Sequence, residues 1–167
     1  MPRLWLFEET IDTDILAPGF YMKAPLADLA THCLEAIRPE FAATVQSGDV
    51  VMAGANMGVG SSREQAAEIL KHLGISAVIA RSFAGIFYRN AINLGLPALT
   101  LPSSLDLPKE CIDGAKISFD LSQSRLTLTD YDIDINCDPI PSFLKAMIDD
   151  GGLVPHLEKR FTSEMAS

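Results

Sequence analysis

The chain has 167 residues, 48% of them hydrophobic, so it can bury one substantial core, and its length requires no second domain. Its 22 acidic against 13 basic residues give a formal charge of −9, which argues against a nucleic-acid surface and against attraction to anionic membranes. No stretch of 18 apolar residues is present, and the short Met1-to-Phe7 segment is no signal peptide, so a cytoplasmic protein is expected.

Arg3-Leu4-Trp5-Leu6-Phe7 reads as a first strand, and residues 11 to 19 as a structured loop in which Asp12 and Asp14 bond their own backbone. From Pro25, apolar residues at helical spacing (Leu26, Leu29, Ala30, Cys33, Leu34, Ile37) predict an amphipathic helix over 25–37. His32 lies within it as an exposed or core-edge residue. Asp49-Val50-Val51-Met52-Ala53 is a strand running into Gly54-Ala55-Asn56-Met57-Gly58-Val59-Gly60-Ser61-Ser62-Arg63-Glu64, a glycine-rich loop that opens a helix over 62–73. A strand at 77–80, a helix near 83–94 and a strand at 97–101 follow, so two crossovers and a parallel sheet are expected, with ligand loops at the carboxyl ends of its strands. Beyond Pro102 the pattern turns to alternation. Residues 116–121 and 125–128 form a hairpin around Ser122-Gln123-Ser124, and 131–135 a further strand whose Asp132 and Asp134 face solvent together. A last helix spans 142–148, and residues 153–167 form a tail of uncertain order.

The glycine loop carries the chemistry. Gly58 and Gly60 permit turns and a close backbone approach, while Ser61, Ser62 and Arg63 bring two hydroxyls and a guanidinium to one place. With Ser61 at or near the helix N-cap, free amides and the helix dipole favour an anion, and Arg63 offers a carboxylate two parallel hydrogen bonds. No lysine follows Gly60, which excludes a nucleotide-triphosphate loop, and no third glycine completes a dinucleotide fingerprint. On spacing alone, an anion site without chemistry is as good a reading as an enzyme. Cys33, Cys111 and Cys137 are too far apart for a local metal or redox pair and are expected to be free thiols.

The runs Gly58-Val59-Gly60-Ser61-Ser62-Arg63-Glu64-Gln65-Ala66, Gly74-Ile75-Ser76-Ala77-Val78-Ile79-Ala80-Arg81-Ser82-Phe83-Ala84 and Phe87-Tyr88-Arg89-Asn90-Ala91-Ile92-Asn93-Leu94-Gly95-Leu96 closely resemble the small subunits of 3-isopropylmalate dehydratase, the swivel domain of the aconitase superfamily. Asp12-Thr13-Asp14-Ile15-Leu16-Ala17-Pro18-Gly19-Phe20-Tyr21 extends the resemblance upstream, and the short length is similar to the archaeal type, which includes homoaconitase. The resemblance implies an α/β three-layer swivelling domain spanning 1–167, with a mainly parallel sheet core and a hairpin-rich C-terminal part. It implies a hydro-lyase in which a separate large subunit, in a heterodimer or heterotetramer, binds a [4Fe-4S] cluster that engages the substrate, with no metal in this chain. By similarity Ser61 is the catalytic base, Arg63 binds the substrate carboxylate, Ser62 assists, and Tyr21, Met22 and Lys23 read the variable substrate group. Val59 stands where the family commonly has cysteine, and Gln65 where many relatives have histidine. The substrate is expected to be an alkyl-substituted malate, 3-isopropylmalate before 2,3-dimethylmalate, citramalate or homoaconitate-type acids. A non-catalytic anion-binding module is the competing class.

Overall fold

The structure, a computed structural model, describes residues 1–166. In chain order the elements are β1 (Leu4–Leu6), α1 (Thr13–Leu16), a 3-10 turn (Gly19–Tyr21), α2 (Leu26–Ala30), α3 (Phe41–Thr44), β2 (Val50–Ala53), α4 (Gln65–His72), β3 (Ala77–Ala80), α5 (Gly85–Asn93), β4 (Ala98–Thr100), β5 (Ile117–Asp120), β6 (Arg125–Leu128), β7 (Ile133–Asn136), α6 (Ser142–Asp149) and α7 (Leu153–Ala166). Four parallel strands run in the order β1-β2-β3-β4, and β5-β6-β7 form an antiparallel sheet. This is the expected α/β class, with a parallel core and a hairpin-rich C-terminal part.

Composition explains the division. Every residue of β2 and β3 is buried, as a parallel strand covered on both faces demands. In β6, Leu126 and Leu128 are buried while Arg125 and Thr127 are half-exposed, the alternation of a one-sided sheet. One buried cluster unites the two, joining Val51, Ile79 and Leu99 to Ile117, Leu126 and Ile135. Both edges of the parallel sheet are covered by backbone. At the β1 edge Leu4 N donates to Ala115 O and Leu4 O accepts from Gly114 N, and beside β4 Asp138 N donates to Thr100 O.

A buried carboxylate ties β1 to β2. Asp49 is fully buried and accepts hydrogen bonds from the amides of Arg3 and Gln46 and from Trp5 Nε1, each at 2.9 Å. The Trp5 ring packs edge-on against Phe41, with the Arg3 guanidinium over its other side.

Three expectations need correcting. The helix anticipated over 25–37 is regular only over Leu26–Ala30; residues 31–37 continue as tight turns. Leu34 adopts φ 61° and donates its amide to Ile15 O, so docking against α1 outweighs helical continuation. The apolar spacing still buries Leu29, Ala30, Cys33 and Leu34. The strand placed at 131–135 begins only at Ile133, because Tyr131 and Asp132 lie in the turn and Asp132 has φ 54°. Asp134 therefore faces Thr127 and Arg125 across the ladder without Asp132 beside it. Finally, residues 153–166 are helix, although Ser167 lies outside the described residues. Among the described residues no helix is long and apolar enough to cross a membrane.

Candidate active site

The glycine loop is laced between two neighbouring segments. Gly58 N donates to Ile11 O at 2.7 Å and Thr13 N to Val59 O at 2.9 Å, while Met57 N donates to Ser82 O and Ala84 N to Met57 O, both at 3.0 Å. These are backbone bonds, so the Val59 side chain takes no part in them. The glycines answer to contacts as well as to dihedral angles. A Cβ on Gly58, at φ 82°, would sit 2.1 Å from the Phe87 ring, and one on Gly60, at φ 125°, would sit 2.7 Å from Thr13 Oγ1.

That second contact locates Ser61. Its amide donates to Thr13 Oγ1 at 3.0 Å, and its hydroxyl lies 3.3 Å from the same oxygen. Thr13 is buried and is the first residue of α1, which Asp12 caps by accepting from Ile15 N at 2.7 Å. Ser61 itself is exposed, as is Ser62. The expectation that Ser61 sits at a helix N-cap fails, because α4 begins at Gln65 and its capping position is Glu64, whose side chain makes no cap bond. A threonine hydroxyl, not the helix end, orients the serine.

Two residues on, Arg63 Nη1 donates to Asp14 Oδ1 at 3.0 Å and to Ala17 O at 3.1 Å. Gly19 leaves room for it, since a Cβ there would approach Nη2 to 3.3 Å. Asp14 also accepts from Gly19 N at 2.9 Å. That amide bond first, and Arg63 second, hold the Asp14 carboxyl below the usual carboxylate range. A guanidinium has five N–H donors, and bonding through Nη1 leaves its Nε and Nη2 edge for a second carboxylate.

The segment after Gly19 is braced by stacking. Tyr21 lies flat on His32, with ring centroids 3.5 Å apart and planes 2° from parallel, and His32 Nδ1 is 2.7 Å from Glu35 Oε2. Met22 packs against the core, whereas Lys23 is exposed without a hydrogen bond or ion pair among the described residues. Phe20, edge-on to Tyr21, is 91% exposed.

Ser61, Arg63, Gly58 and Gly60 are thus brought against the Asp12–Gly19 segment that leads to Tyr21. Sequence reasoning missed Thr13 as the brace and gave Asp14 only a turn-forming role. The Asp-Thr-Asp run was the available signal, but nothing local assigns a threonine to a loop 48 positions away. Arg81, at the end of β3, donates to Pro102 O and Leu105 O and fastens the chain after β4. A cleft of about 390 Å³ at the carboxyl ends of the parallel strands, lined by Met52, Gly54, Arg81 and Cys111 among others, includes neither Ser61 nor Arg63.

Comparison with known proteins bears on this geometry. Residues 38–104 match the family described as the Aconitase C-terminal domain. The chain is 43% identical to the methanogen homoaconitase small subunit of Methanothermobacter thermautotrophicus over 94% of its own length and 89% of that protein. It is 42% identical to the 3-isopropylmalate dehydratase small subunit of Halothermothrix orenii over 93% of each. The crystal structure of 3-isopropylmalate dehydratase from Methanocaldococcus jannaschii superposes with a TM-score of 0.89 at 38% identity, covering 99% of this chain and 96% of that one. The chain belongs to the 3-isopropylmalate dehydratase small-subunit family. It is a small subunit of an aconitase-type hydro-lyase, and the name small subunit implies a large partner.

An iron-sulfur cluster, which this dehydratase family implies, does not fit the residues of this chain. The three cysteines are free, buried and far apart in sequence, and burial pushes the thiols of Cys33 and Cys111 up and that of Cys137 to about 12, away from the thiolate a ligand must be. No group of three or more His, Cys, Asp or Glu able to hold a metal ion occurs among the described residues.

Proposed function

We propose that this chain supplies the proton-transfer half of a cytoplasmic dehydratase that isomerises 3-isopropylmalate to 2-isopropylmalate through 2-isopropylmaleate, working only with a cluster-bearing large subunit. The observation that carries the reading is the pairing of Ser61 with the buried Thr13 hydroxyl, with Arg63 two residues away and both on an open surface. Thr13 Oγ1 already accepts the Ser61 amide, so its single proton is free to point at Ser61 Oγ. A hydroxyl donor aimed at the serine oxygen stabilises the alkoxide that a serine base must become.

In this reading Ser61 removes the proton from the carbon next to a carboxylate and returns one in the hydration step. Arg63 holds that carboxylate through its Nε and Nη2 edge, with Asp14 and Ala17 fixing the plane of the guanidinium. Ser62, exposed beside it, adds a hydroxyl contact. The loop amides hold the loop itself in position, since Met57, Gly58, Val59 and Ser61 N donate to Ser82 O, Ile11 O, Asn56 O and Thr13 Oγ1. Because Ser61 is solvent-exposed in the chain alone, docking of the partner supplies the dry environment an alkoxide needs.

For substrate choice, Phe20 and Tyr21 give an apolar surface that suits an alkyl group, and Met22 supports it from the core side. Lys23 favours a second reading, in which its cation meets the distal carboxylate of a homoaconitate-type acid. The test is kcat/KM of the reconstituted pair on 3-isopropylmalate, citramalate, 2,3-dimethylmalate and a homocitrate-type acid, with Lys23→Ala beside the parent. Preference for 3-isopropylmalate with little change in Lys23→Ala is the expected result. Preference for the tricarboxylic acid, with a selective loss of about 1.5–3 kcal/mol in Lys23→Ala, would establish the second reading instead. Full activity of the small subunit alone would overturn both.

A further inference from the structure

Three rings stand in a row after Gly19. Phe20 is edge-on to Tyr21, with centroids 5.0 Å apart, and Tyr21 lies flat on His32 at 3.5 Å. Phe20 is the open end of the row, and His32 is its fixed end. The His32 amide donates to Leu29 O at 3.0 Å, the next two residues, Cys33 and Leu34, are fully buried, and the Leu34 amide donates to Ile15 O at 3.0 Å. The imidazole is oriented as well. Its Nδ1 lies 2.7 Å from Glu35 Oε2, and an ionised carboxylate only accepts, so Nδ1 carries the proton of that bond. The segment that meets His32 has little else to hold it. Among the described residues, the backbone hydrogen bonds of residues 20–24 all close locally: Tyr21 N to Pro18 O, Met22 N to Gly19 O and Ala24 N to Tyr21 O. Its ties to the body of the domain are side-chain packing, Met22 against the core and the Tyr21 ring on His32. A segment held by two side chains takes its position from them.

We propose that His32 is a positioning residue for substrate choice. By setting the plane of the Tyr21 ring it fixes where residues 20–23 meet the variable group of the substrate, and Glu35 holds His32 in turn. The inference rests on the proposed function, in which that segment reads the alkyl group of the malate, and it names the side chain that makes the reading sharp. A face-to-face contact resists tilting of the Tyr21 ring, and Tyr21 in turn supports the edge of Phe20. Distance decides what this is worth. A gap of 0.5–1 Å forfeits roughly a quarter to a half of a dispersion contact. A small shift of Phe20 and Tyr21 therefore costs a branched alkyl group much of its contact and a methyl group little.

The experiment uses the chain reconstituted with its large subunit and two acids that differ only in the variable group, 3-isopropylmalate and 3-methylmalate. The ratio of their kcat/KM values is the readout. His32→Ala is expected to lower that ratio about tenfold, the scale of one lost methylene contact. The loss should come through a higher KM for 3-isopropylmalate, with kcat on both acids within about threefold of the parent. His32→Phe keeps a flat ring without the Glu35 bond and is expected to return the ratio to within about threefold. A companion measurement needs no activity. The chain has three histidines, and in proton NMR the ring signals of His32, beneath Tyr21, are expected upfield of those of His72 and His156 and to lose that shift in Tyr21→Leu. With an active parent, an unchanged ratio in His32→Ala would overturn the positioning role and leave the proposed function standing. Equal losses on both acids with a lower Tm would mark a structural contact and also overturn it, as would the absence of the ring shift. A parent that turns over neither acid would instead overturn the proposed substrate and this inference together.

Discussion

The two sheets of this molecule are built by opposite rules, and the proposed chemistry sits with one of them. β2 and β3 are apolar throughout, buried on both faces, and pass directly into a loop whose backbone is hydrogen-bonded on both sides. β6 buries every second residue, β5 and β7 bury only Ile117 and Ile135, and Ser118, Thr127 and Asp134 are left toward water. A doubly covered strand cannot shift without exposing core, so a loop at its end is held to a fixed position. That is what a serine base and a guanidinium two residues apart require. The segments flanking the antiparallel sheet serve as cover: Gly114 and Ala115 bond the β1 edge of the parallel sheet, and Asp138 the β4 edge.

If the catalytic group lies on the rigid half, its loss should be the largest effect and should not be a folding effect. Ser61→Ala removes an exposed hydroxyl, so Tm is expected to stay within a degree or two. In the reconstituted enzyme kcat should fall about 10³–10⁴-fold, roughly 4–5.5 kcal/mol of barrier, with KM within a few-fold. Turnover near that of the parent would move the base to another residue.

The next comparison sets one carboxylate from each sheet against the other. Asp49 is fully buried and accepts three hydrogen bonds, two of them from β1-side donors, so Asp49→Ala leaves those donors unpaired at about 3–4 kcal/mol in stability. Asp134 makes one hydrogen bond to Thr127 and a 3.5 Å ion pair with Arg125, both in solvent. Asp134→Ala should cost under about 1 kcal/mol. Urea denaturation of the two variants checks the contrast, and equal losses would refute the division of the molecule into sealed and solvated halves.

Gly58→Ala tests how tightly the loop is held. The added methyl meets the Phe87 ring and a left-handed backbone angle at once, so about 2–3 kcal/mol of destabilisation is expected, with loss of activity. Gly114, also at positive φ but with open space around its missing Cβ, is the control. Gly114→Ala should show only the smaller backbone cost, about 1 kcal/mol. Chemical denaturation and the reconstituted assay together separate strain from collision.

Where elements could be read in the sequence, the reason is this same division. The buried runs at 50–53 and 77–80 and the alternation through 117–128 are local patterns, and each became the strand it suggested. The glycine loop proposed to carry the chemistry is itself a local pattern, since Gly58, Gly60, Ser61 and Arg63 stand within six residues. What escaped depended on contacts distant in sequence. Leu34 leaves the helical path because Ile15 accepts its amide, and Thr13 reaches Ser61 only after α1 is seated against the loop. The contacts of α7 were equally hidden, because Asp150 meets His156 and Lys159 only in the folded chain.

The smallest effect concerns Asp14, which joins Arg63 of the glycine loop to Gly19 in the segment before Tyr21. Its carboxyl is held below its ordinary value by the Gly19 amide and then by Arg63, so the folded state prefers the carboxylate. A carboxyl whose pKa is lower in the folded chain than in the unfolded one stabilises the fold above the unfolded value. That contribution is lost as pH falls through the folded value. Asp14→Asn should therefore lower stability slightly at pH 7, by no more than about 0.5 kcal/mol because the ion pair is largely exposed to water. The difference from the parent should shrink below pH 4. In the reconstituted enzyme the same variant frees the Arg63 guanidinium to rotate, so KM should rise more than kcat falls. Urea midpoints at pH 7 and pH 3.5 check the first expectation, and saturation kinetics the second. A stability difference that grew toward acid would mean that Asp14 is unfavourably placed in the fold. The bond to Arg63 would then no longer count as the brace of the carboxylate anchor.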